Sequence, residues 1–161
     1  MAITDSAKAY YEKMFPGQPC PLEQTDPEFA AFFRNFACDE VVNQGDLDGR
    51  TRFLAILAAL LGCQGLDAFR AMVPAALHFG VSPVEIRETV YQATAYLGIG
   101  RVYPFLLAMN QAFEAEGIAL PLPSQSTTTR ETRLEGGNQT QVDIFGEGMR
   151  GFQGSGPEES R

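Results

Sequence analysis

Nine consecutive apolar residues, FLAILAALL at 53–61, set the strongest limit on how this chain can fold. A helix of this composition has no polar side to turn toward water, so the rest of the protein must cover it. The run is far shorter than the ~20 residues that a membrane-spanning helix needs. It is therefore predicted to form the central, almost fully buried helix of a soluble fold, with Asp48 as its N-cap.

Start and stop signals predict three more helices after this one. The spacing of apolar residues predicts a helix from Leu66 to Phe79, with Phe69, Val73 and Ala76 on its inward side. Pro74 inside it should cost a hydrogen bond and bend the axis. The sequence SPVE at 82–85 combines a capping box with a proline in the first turn, and it starts the next helix. A last core helix is predicted from about Arg101 to Glu116, before Gly117.

The N-terminal part predicts two further helices separated by a loop. The first is expected at 5–15, and the proline-rich segment 16–25 is expected to be a loop. Asp26 and Pro27 then supply an N-cap and a first-turn proline for a helix that ends near Gly45. Four aromatic residues recur at helical spacing along it: Phe29, Phe32, Phe33 and Phe36.

The fold class predicted from these signals is all-α, because no segment alternates apolar and polar residues as a strand does. Residues 1–117 are assigned to the helical domain. Residues 118–129, which contain prolines and a Ser/Thr run, are assigned to a linker. Residues 130–161 are assigned to a polar helix and a tail that lacks an apolar face to bury.

Three motifs carry a resemblance to a known family. They are LDGRTR at 47–52, AALHFGVSPVEI at 75–86 and YLG at 96–98. Through them the chain resembles the carboxymuconolactone decarboxylase family, which includes the alkylhydroperoxidase D-like proteins. The resemblance implies an alkylhydroperoxidase D-like helical bundle, which assembles as a homo-oligomer, a trimer or a hexamer. The apolar run at 53–61 independently favours association, since symmetric contacts are an economical way to cover it.

The residues at which that family performs its chemistry differ in this chain. The alkylhydroperoxidase D-like branch carries a Cys-x-x-Cys pair, a histidine three residues further on and an upstream glutamate. The corresponding segment here, GLDAFRAM at 65–72, has no cysteine pair, and Met72 stands at the histidine position. Phe53 stands near the glutamate position. The resemblance therefore predicts the scaffold but not the dithiol mechanism.

The end of the chain resembles the start of a second copy of the domain. Related chains can carry two tandem copies, and QVDIFG at 141–146 looks like the opening of such a copy. It faintly echoes residues 10–17. We expect the chain to correspond to the first copy of a two-copy architecture.

Cys63 and His78 are the candidate catalytic residues. Cys63 follows the apolar helix and is the most plausible thiol for reducing a peroxide, with Cys38, another subunit or a small thiol as its resolving partner. His78 is the only histidine, and it is able to act as an acid or base. Both residues also have a structural alternative. Cys63 then fills space as a small apolar residue at a helix end. His78 then lies at the C-terminal end of its helix because the helix dipole favours a protonated imidazole there.

Tyr96, Arg101, Tyr103 and Gln64 are the candidate substrate-binding residues. The break at 98–100 places Tyr96 and Arg101 around a turn, where Arg101 is able to bind a carboxylate through two hydrogen bonds. Alternatively the tyrosines lie at the edge of the core, Arg101 is a solvated charge and Gln64 is a local cap. The sequence predicts neither a metal site nor a cofactor.

Charge and cysteine content limit the partners. A formal net charge of −8 and the lack of a basic cluster argue against nucleic acid and anionic membranes. Three separated cysteines and the absence of a leader sequence favour the cytoplasm.

The resemblance and the candidate residues leave three functions open. They are a decarboxylase-like enzyme acting on a small carboxylated or lactone metabolite, a peroxiredoxin-like hydroperoxide reductase using Cys63, and a non-catalytic oligomerising or ligand-binding subunit.

Overall fold

The computed structural model describes residues 2–154, with side chains described to Gly151. All the regular secondary structure in this range is helical. No strand occurs within this range, which confirms the predicted fold class. Residues 2–154 contain eight α-helices, a π-helical turn after the third of them and, after the last, a 3₁₀ helix at Glu147–Gly154. The α-helices are α1 (Asp5–Met14), α2 (Leu22–Thr25), α3 (Pro27–Asn35), α4 (Gly49–Gly62), α5 (Leu66–His78), α6 (Pro83–Leu97), α7 (Ile99–Ala115) and α8 (Arg133–Phe145).

The helix boundaries follow local signals in the sequence. Asp48 caps α4 by accepting a hydrogen bond from the backbone N–H of Thr51 at 3.0 Å. Ser82 and Glu85 form both halves of the predicted capping box at the start of α6. Gly98 has a φ of +79°, a conformation that suits glycine, and it separates α6 from α7. Helix α7 therefore starts two residues earlier than predicted.

The prediction for residues 16–25 was wrong in one respect, because α2 forms one short helix there. The helix expected to run from Pro27 to near Gly45 is also shorter. It passes at Phe36–Glu40 into a π-helical turn, which widens the helix where Cys38 is buried.

The core is built where α4, α5, α6 and α7 pack on one another, with α1 against α5. Its largest completely buried side chains include Phe53 on α4, Phe69 on α5, and Phe105 and Phe113 on α7. Phe69 and Phe105 meet edge to face with ring centroids 5.1 Å apart. The predicted inward side of α5 is confirmed, since Phe69, Val73 and Ala76 are all completely buried.

The prediction that α4 is almost fully buried was wrong. Helix α4 is not enclosed on all sides: Phe53, Leu57 and Leu61 are buried, whereas Ala55, Ala58 and Ala59 are exposed. Helices α5 and α6 are the main neighbours of α4, and two neighbours leave part of its circumference uncovered. The four phenylalanines of α3 and its π-helical turn likewise point outward, and they are 48–60% exposed.

The chain divides into two compact units, one ending at Leu122 and the other beginning at Pro123. The second unit contains α8, on which Val142 is buried while Leu134, Ile144 and Phe145 are exposed. None of the helices in the described part of the chain is both long and apolar enough to span a bilayer.

The core packing predicts a large stability difference between two phenylalanines. Phe53→Ala should lower the free energy of unfolding by about 3–5 kcal/mol, because it removes a completely buried ring and leaves a cavity. Phe145→Ala is the matched control, since that ring is 71% exposed, and it should change stability by less than about 0.5 kcal/mol. Urea denaturation followed by circular dichroism measures both. Equal losses in the two variants would contradict this account of the core.

Candidate small-molecule site between two helices

A groove of about 670 Å³ lies between α4 and α6. Its lining residues recur every three or four positions along each helix, so each helix contributes one continuous stripe. The stripe on α4 consists of Arg50, Leu54, Ala58, Leu61 and Gly62; the stripe on α6 consists of Glu85, Glu88, Thr89, Gln92, Ala93, Tyr96 and Leu97.

The two helices run in the same direction along the groove. Arg50 and Glu85, from the first turns of α4 and α6, form an ion pair at one end. Leu61 and Leu97, from the last turns, line the other end. The floor between these ends is apolar, and Ala58 and Gly62 leave room because they lack long side chains. The groove thus has a charged end and an apolar α4 side.

The carboxylate of Glu85 organises the charged end, because its two oxygens accept hydrogen bonds from different partners. One oxygen of Glu85 accepts a hydrogen bond from Arg50, whose side chain is half-exposed. The other oxygen accepts hydrogen bonds from the backbone N–H and the hydroxyl of Ser82, both at 2.8 Å. Because the capping box fixes Glu85, it also fixes the position of the Arg50 guanidinium at the groove.

The middle of the α6 wall is polar, and neighbouring residues restrain it. Arg87 is buried and pairs with Glu88 at 3.0 Å. Arg87 also donates to the carbonyl of Leu122 at 3.2 Å. Thr89 donates its hydroxyl proton to the carbonyl of Glu85 at 2.9 Å, within α6. Gln92 and Tyr96 are exposed, so their polar groups are accessible to a bound molecule.

The sequence predicted six site residues, and of these only Tyr96 lines this groove. Cys63 immediately follows the groove residue Gly62; it is exposed, and its thiol lies 3.6 Å from the carbonyl of Leu60. Gln64 has a φ of +61° and donates its amide N–H to the carbonyl of Leu61 at 2.8 Å, which matches the alternative of a local cap. Cys63 and Gln64 thus lie near the apolar end without lining it.

His78, Arg101 and Tyr103 lie elsewhere. The Nδ1 atom of His78 lies 2.9 Å from the carbonyl oxygen of Met14, so this ring connects the end of α5 to α1. Arg101 and Tyr103 are exposed on α7. The structure does not bring the six residues together around one cavity, and the roles assigned to them from the sequence remain predictions.

Arg50, Glu88 and Gln92 are the groove residues that the sequence reasoning did not select. Charged and amide side chains at helical spacing are equally typical of a solvated helix surface. The signal that could have found them is the polar stripe on α6 at 85, 88, 92 and 96, together with the small residues Ala58 and Gly62 facing it from α4. Reading that signal requires knowing that α4 and α6 are neighbours.

A second cavity, of about 490 Å³, lies where α1, α2 and α3 meet, and it contains another cysteine. Cys20 lines it together with Tyr11 and Arg34. The guanidinium of Arg34 lies over the Tyr11 ring at 4.1 Å and pairs with Glu23. Burial, together with the Cys20 thiol, raises the pKa of Tyr11 to about 12. The tyrosine is therefore a neutral hydrogen-bond donor at physiological pH.

The described residues contain no group of three or more His, Cys, Asp or Glu side chains that could hold a metal ion. All three cysteines are free.

Comparison with known proteins identifies one family. The sequence model of the carboxymuconolactone decarboxylase family matches residues 27–111, which is 85 of the 161 residues. The match runs from α3 into α7 and includes every residue of the α4–α6 groove. No curated protein sequence matches the chain.

The different environments of the cysteines predict an order of thiol reactivity. Cys63 is exposed and should react first with a small disulfide reagent. Cys38 is buried, and that burial raises the pKa of its thiol, so both access and the thiolate fraction are low. It should react at least ~100-fold more slowly, because it must wait for local opening of the fold. Mass spectrometry of timed reactions assigns each site, and Cys63→Ser is the control. Comparable rates at the two cysteines would contradict this assignment.

Proposed function

Because the chain belongs to the carboxymuconolactone decarboxylase family, we propose that it acts on a small carboxylated or lactone metabolite bound in the α4–α6 groove. The observation that carries the proposal is the position of Arg50 at one end of a groove whose α4 side is otherwise apolar. The groove volume of about 670 Å³ lies within the range of sites for small organic molecules.

Arg50 is the proposed carboxylate anchor. Its guanidinium presents several donors, and one oxygen of Glu85 engages it in the unliganded chain. A substrate carboxylate would bind the remaining donors. The ring or lactone of the substrate would lie on Leu54, Ala58 and Leu61, where burial of apolar surface favours binding.

The same arrangement supports decarboxylase-like chemistry. When CO₂ leaves, the electron pair of the broken C–C bond stays on the substrate, which must then accept a proton at carbon. Tyr96 and Glu88 line the groove and are able to exchange protons, so they are the proposed partners of that step. Met72, which stands where the family histidine is expected, is partly buried against the core and has no proton to give.

One observation favours a second candidate function, hydroperoxide reduction. The Cys63 thiol is exposed one residue beyond the groove, so a peroxide is able to reach it. Its position counts against it, because Cys63 does not line the groove and neither Cys20 nor Cys38 lines it as a resolving thiol. The three free, separated cysteines also support a cytoplasmic location as part of the proposal.

Substitution of two arginines tests the anchor. Arg50→Gln should weaken the binding of small aromatic and lactone carboxylic acids by about 10- to 100-fold, since it removes a charge-assisted hydrogen bond. Arg101→Gln, an exposed arginine outside the groove, is the matched control and should leave binding unchanged. Isothermal titration calorimetry gives both affinities, and thermal melting checks that each variant is folded.

The remaining outcomes discriminate among the alternatives. If Arg101→Gln alone weakens binding, the site lies around the 98–100 turn, as the sequence suggested. If no acid binds the wild-type chain, the groove is not a carboxylate site. Binding without loss of CO₂ or of the lactone, measured by mass spectrometry, would support the non-catalytic ligand-binding subunit instead.

Peroxide consumption tests the thiol alternative. Because no cysteine lines the groove, we expect wild type and Cys63→Ser to consume peroxide at the same negligible rate in the presence of a dithiol reductant. Cys20→Ser is the control for the other accessible thiol. Turnover that is lost only in Cys63→Ser would overturn the decarboxylase-like proposal in favour of the peroxidase.

A further inference from the structure

The charged side chains of the α4–α6 groove all lie in the half where the two helices begin. Among the described residues that line the groove, Arg50 is the one cation, and Glu85 and Glu88 are the two acids. No charged lining residue follows Arg50 on α4, and none follows Glu88 on α6. The half in which the helices end is therefore uncharged within the described part of the chain.

Small and apolar residues dominate this uncharged half. Ala58 is exposed and Gly62 has no side chain, so the α4 side leaves room along its last two turns. Leu97 lines the end of the α6 side. Gln92 and Tyr96 are exposed beside it and add neutral polar groups. This half therefore offers apolar contacts and neutral hydrogen-bonding groups, but no charge.

The groove is also long. Arg50 and Leu61 lie eleven residues apart on one helix, so the α4 side extends over about 16 Å at ~1.5 Å per residue. Three covalent bonds of an extended chain advance at most ~3.6 Å, or about 1.2 Å per bond. About thirteen bonds therefore reach from the charged end to the last turn of α4. A single ring covers only part of this length.

We propose that the ligand of the groove is an extended monocarboxylic acid, an inference that rests on the proposed role of Arg50 as the carboxylate anchor. The one carboxylate binds Arg50. The remainder of the molecule carries no charge and is mainly apolar, and it lies along Leu54 and Ala58 toward Leu61. Its length is about ten to thirteen bonds, as the dimensions of the two helices require.

The charge distribution rejects a second carboxylate on the same ligand. At the far end such a group would lose its water without gaining a cation, which costs free energy. In the middle of the groove it would meet the carboxylate of Glu88, which is half-exposed and carries the same charge. The groove therefore selects against dicarboxylic acids as well as for monocarboxylic ones.

A series of acids titrated into the full chain tests the length and the single charge. Hexanoate, octanoate and decanoate should bind with increasing affinity, by about 2- to 4-fold per added methylene, because each buries more apolar surface. Decanedioate is the matched ligand, since it replaces the terminal methyl group of decanoate by a second carboxylate. It should bind at least about 10-fold more weakly than decanoate. Isothermal titration calorimetry below the micelle concentration of decanoate gives each affinity.

Substitution of two neighbouring alanines shows where the apolar chain lies. Ala58 and Ala59 are both exposed on α4, and of the two only Ala58 lines the groove. Ala58→Asp places a carboxylate about 12 Å along α4 from Arg50, level with the end of decanoate, and should weaken decanoate binding by at least about 10-fold. Hexanoate spans only about 7 Å, so its affinity should change by less than about 2-fold across the ~8 Å screening length of physiological salt.

Ala59→Asp is the matched control and should leave the affinities of both acids unchanged. Thermal melting verifies that the two variants are folded. Equal binding of decanedioate and decanoate, no gain from hexanoate to decanoate, or equal losses in Ala58→Asp and Ala59→Asp would each overturn the inference. If hexanoate nevertheless bound and Arg50→Gln weakened it, the carboxylate anchor would stand without the extended body. If no acid of any length bound the wild-type chain, the anchor and this inference would both fail.

Discussion

The burial of one side of α4 is the interaction on which the rest of the structure depends. Phe53, Leu57 and Leu61 lie one helical turn apart and are completely buried where α5 and α6 meet α4. This anchoring fixes the rotation of α4 about its axis. The same rotation turns Arg50, Leu54 and Ala58 toward the open side of α6 and thereby creates the groove. Core packing and the candidate site are thus two consequences of a single helix orientation.

Groups that end helices also shape the groove. Glu85 completes the capping box of α6 and at the same time holds the guanidinium of Arg50. Arg87 holds Glu88 and also donates to the carbonyl of Leu122, near the end of the N-terminal unit. Because these hydrogen bonds serve the fold, Arg50, Glu85 and Glu88 are held in position in the unliganded chain. Such preorganisation would reduce the conformational entropy that these side chains lose when a ligand binds.

The N-terminal unit is too small to enclose every apolar residue that its helices carry. In a small domain a large part of each helix lies at the surface, and α3 and α7 show the result. Helix α7 buries Val102, Phe105 and Met109 on one side and exposes Ile99, Tyr103 and Leu107 on another. Apolar side chains of both helices therefore remain at the surface of the single chain.

The sequence by itself determined the helices of the core and the residues that begin and end them, since Asp48, the capping box at 82–85 and Gly98 act on their own neighbours. It also determined the inward side of α5 through Phe69, Val73 and Ala76. The resemblance read from three motifs placed the chain in the right family, although the residues of that family's chemistry are replaced. Only the tertiary structure decided that Arg50 faces Glu85, that His78 contacts Met14, and that the phenylalanines of α3 point outward. These facts depend on which helices are neighbours, and periodicity within one helix carries no information about the helix beside it.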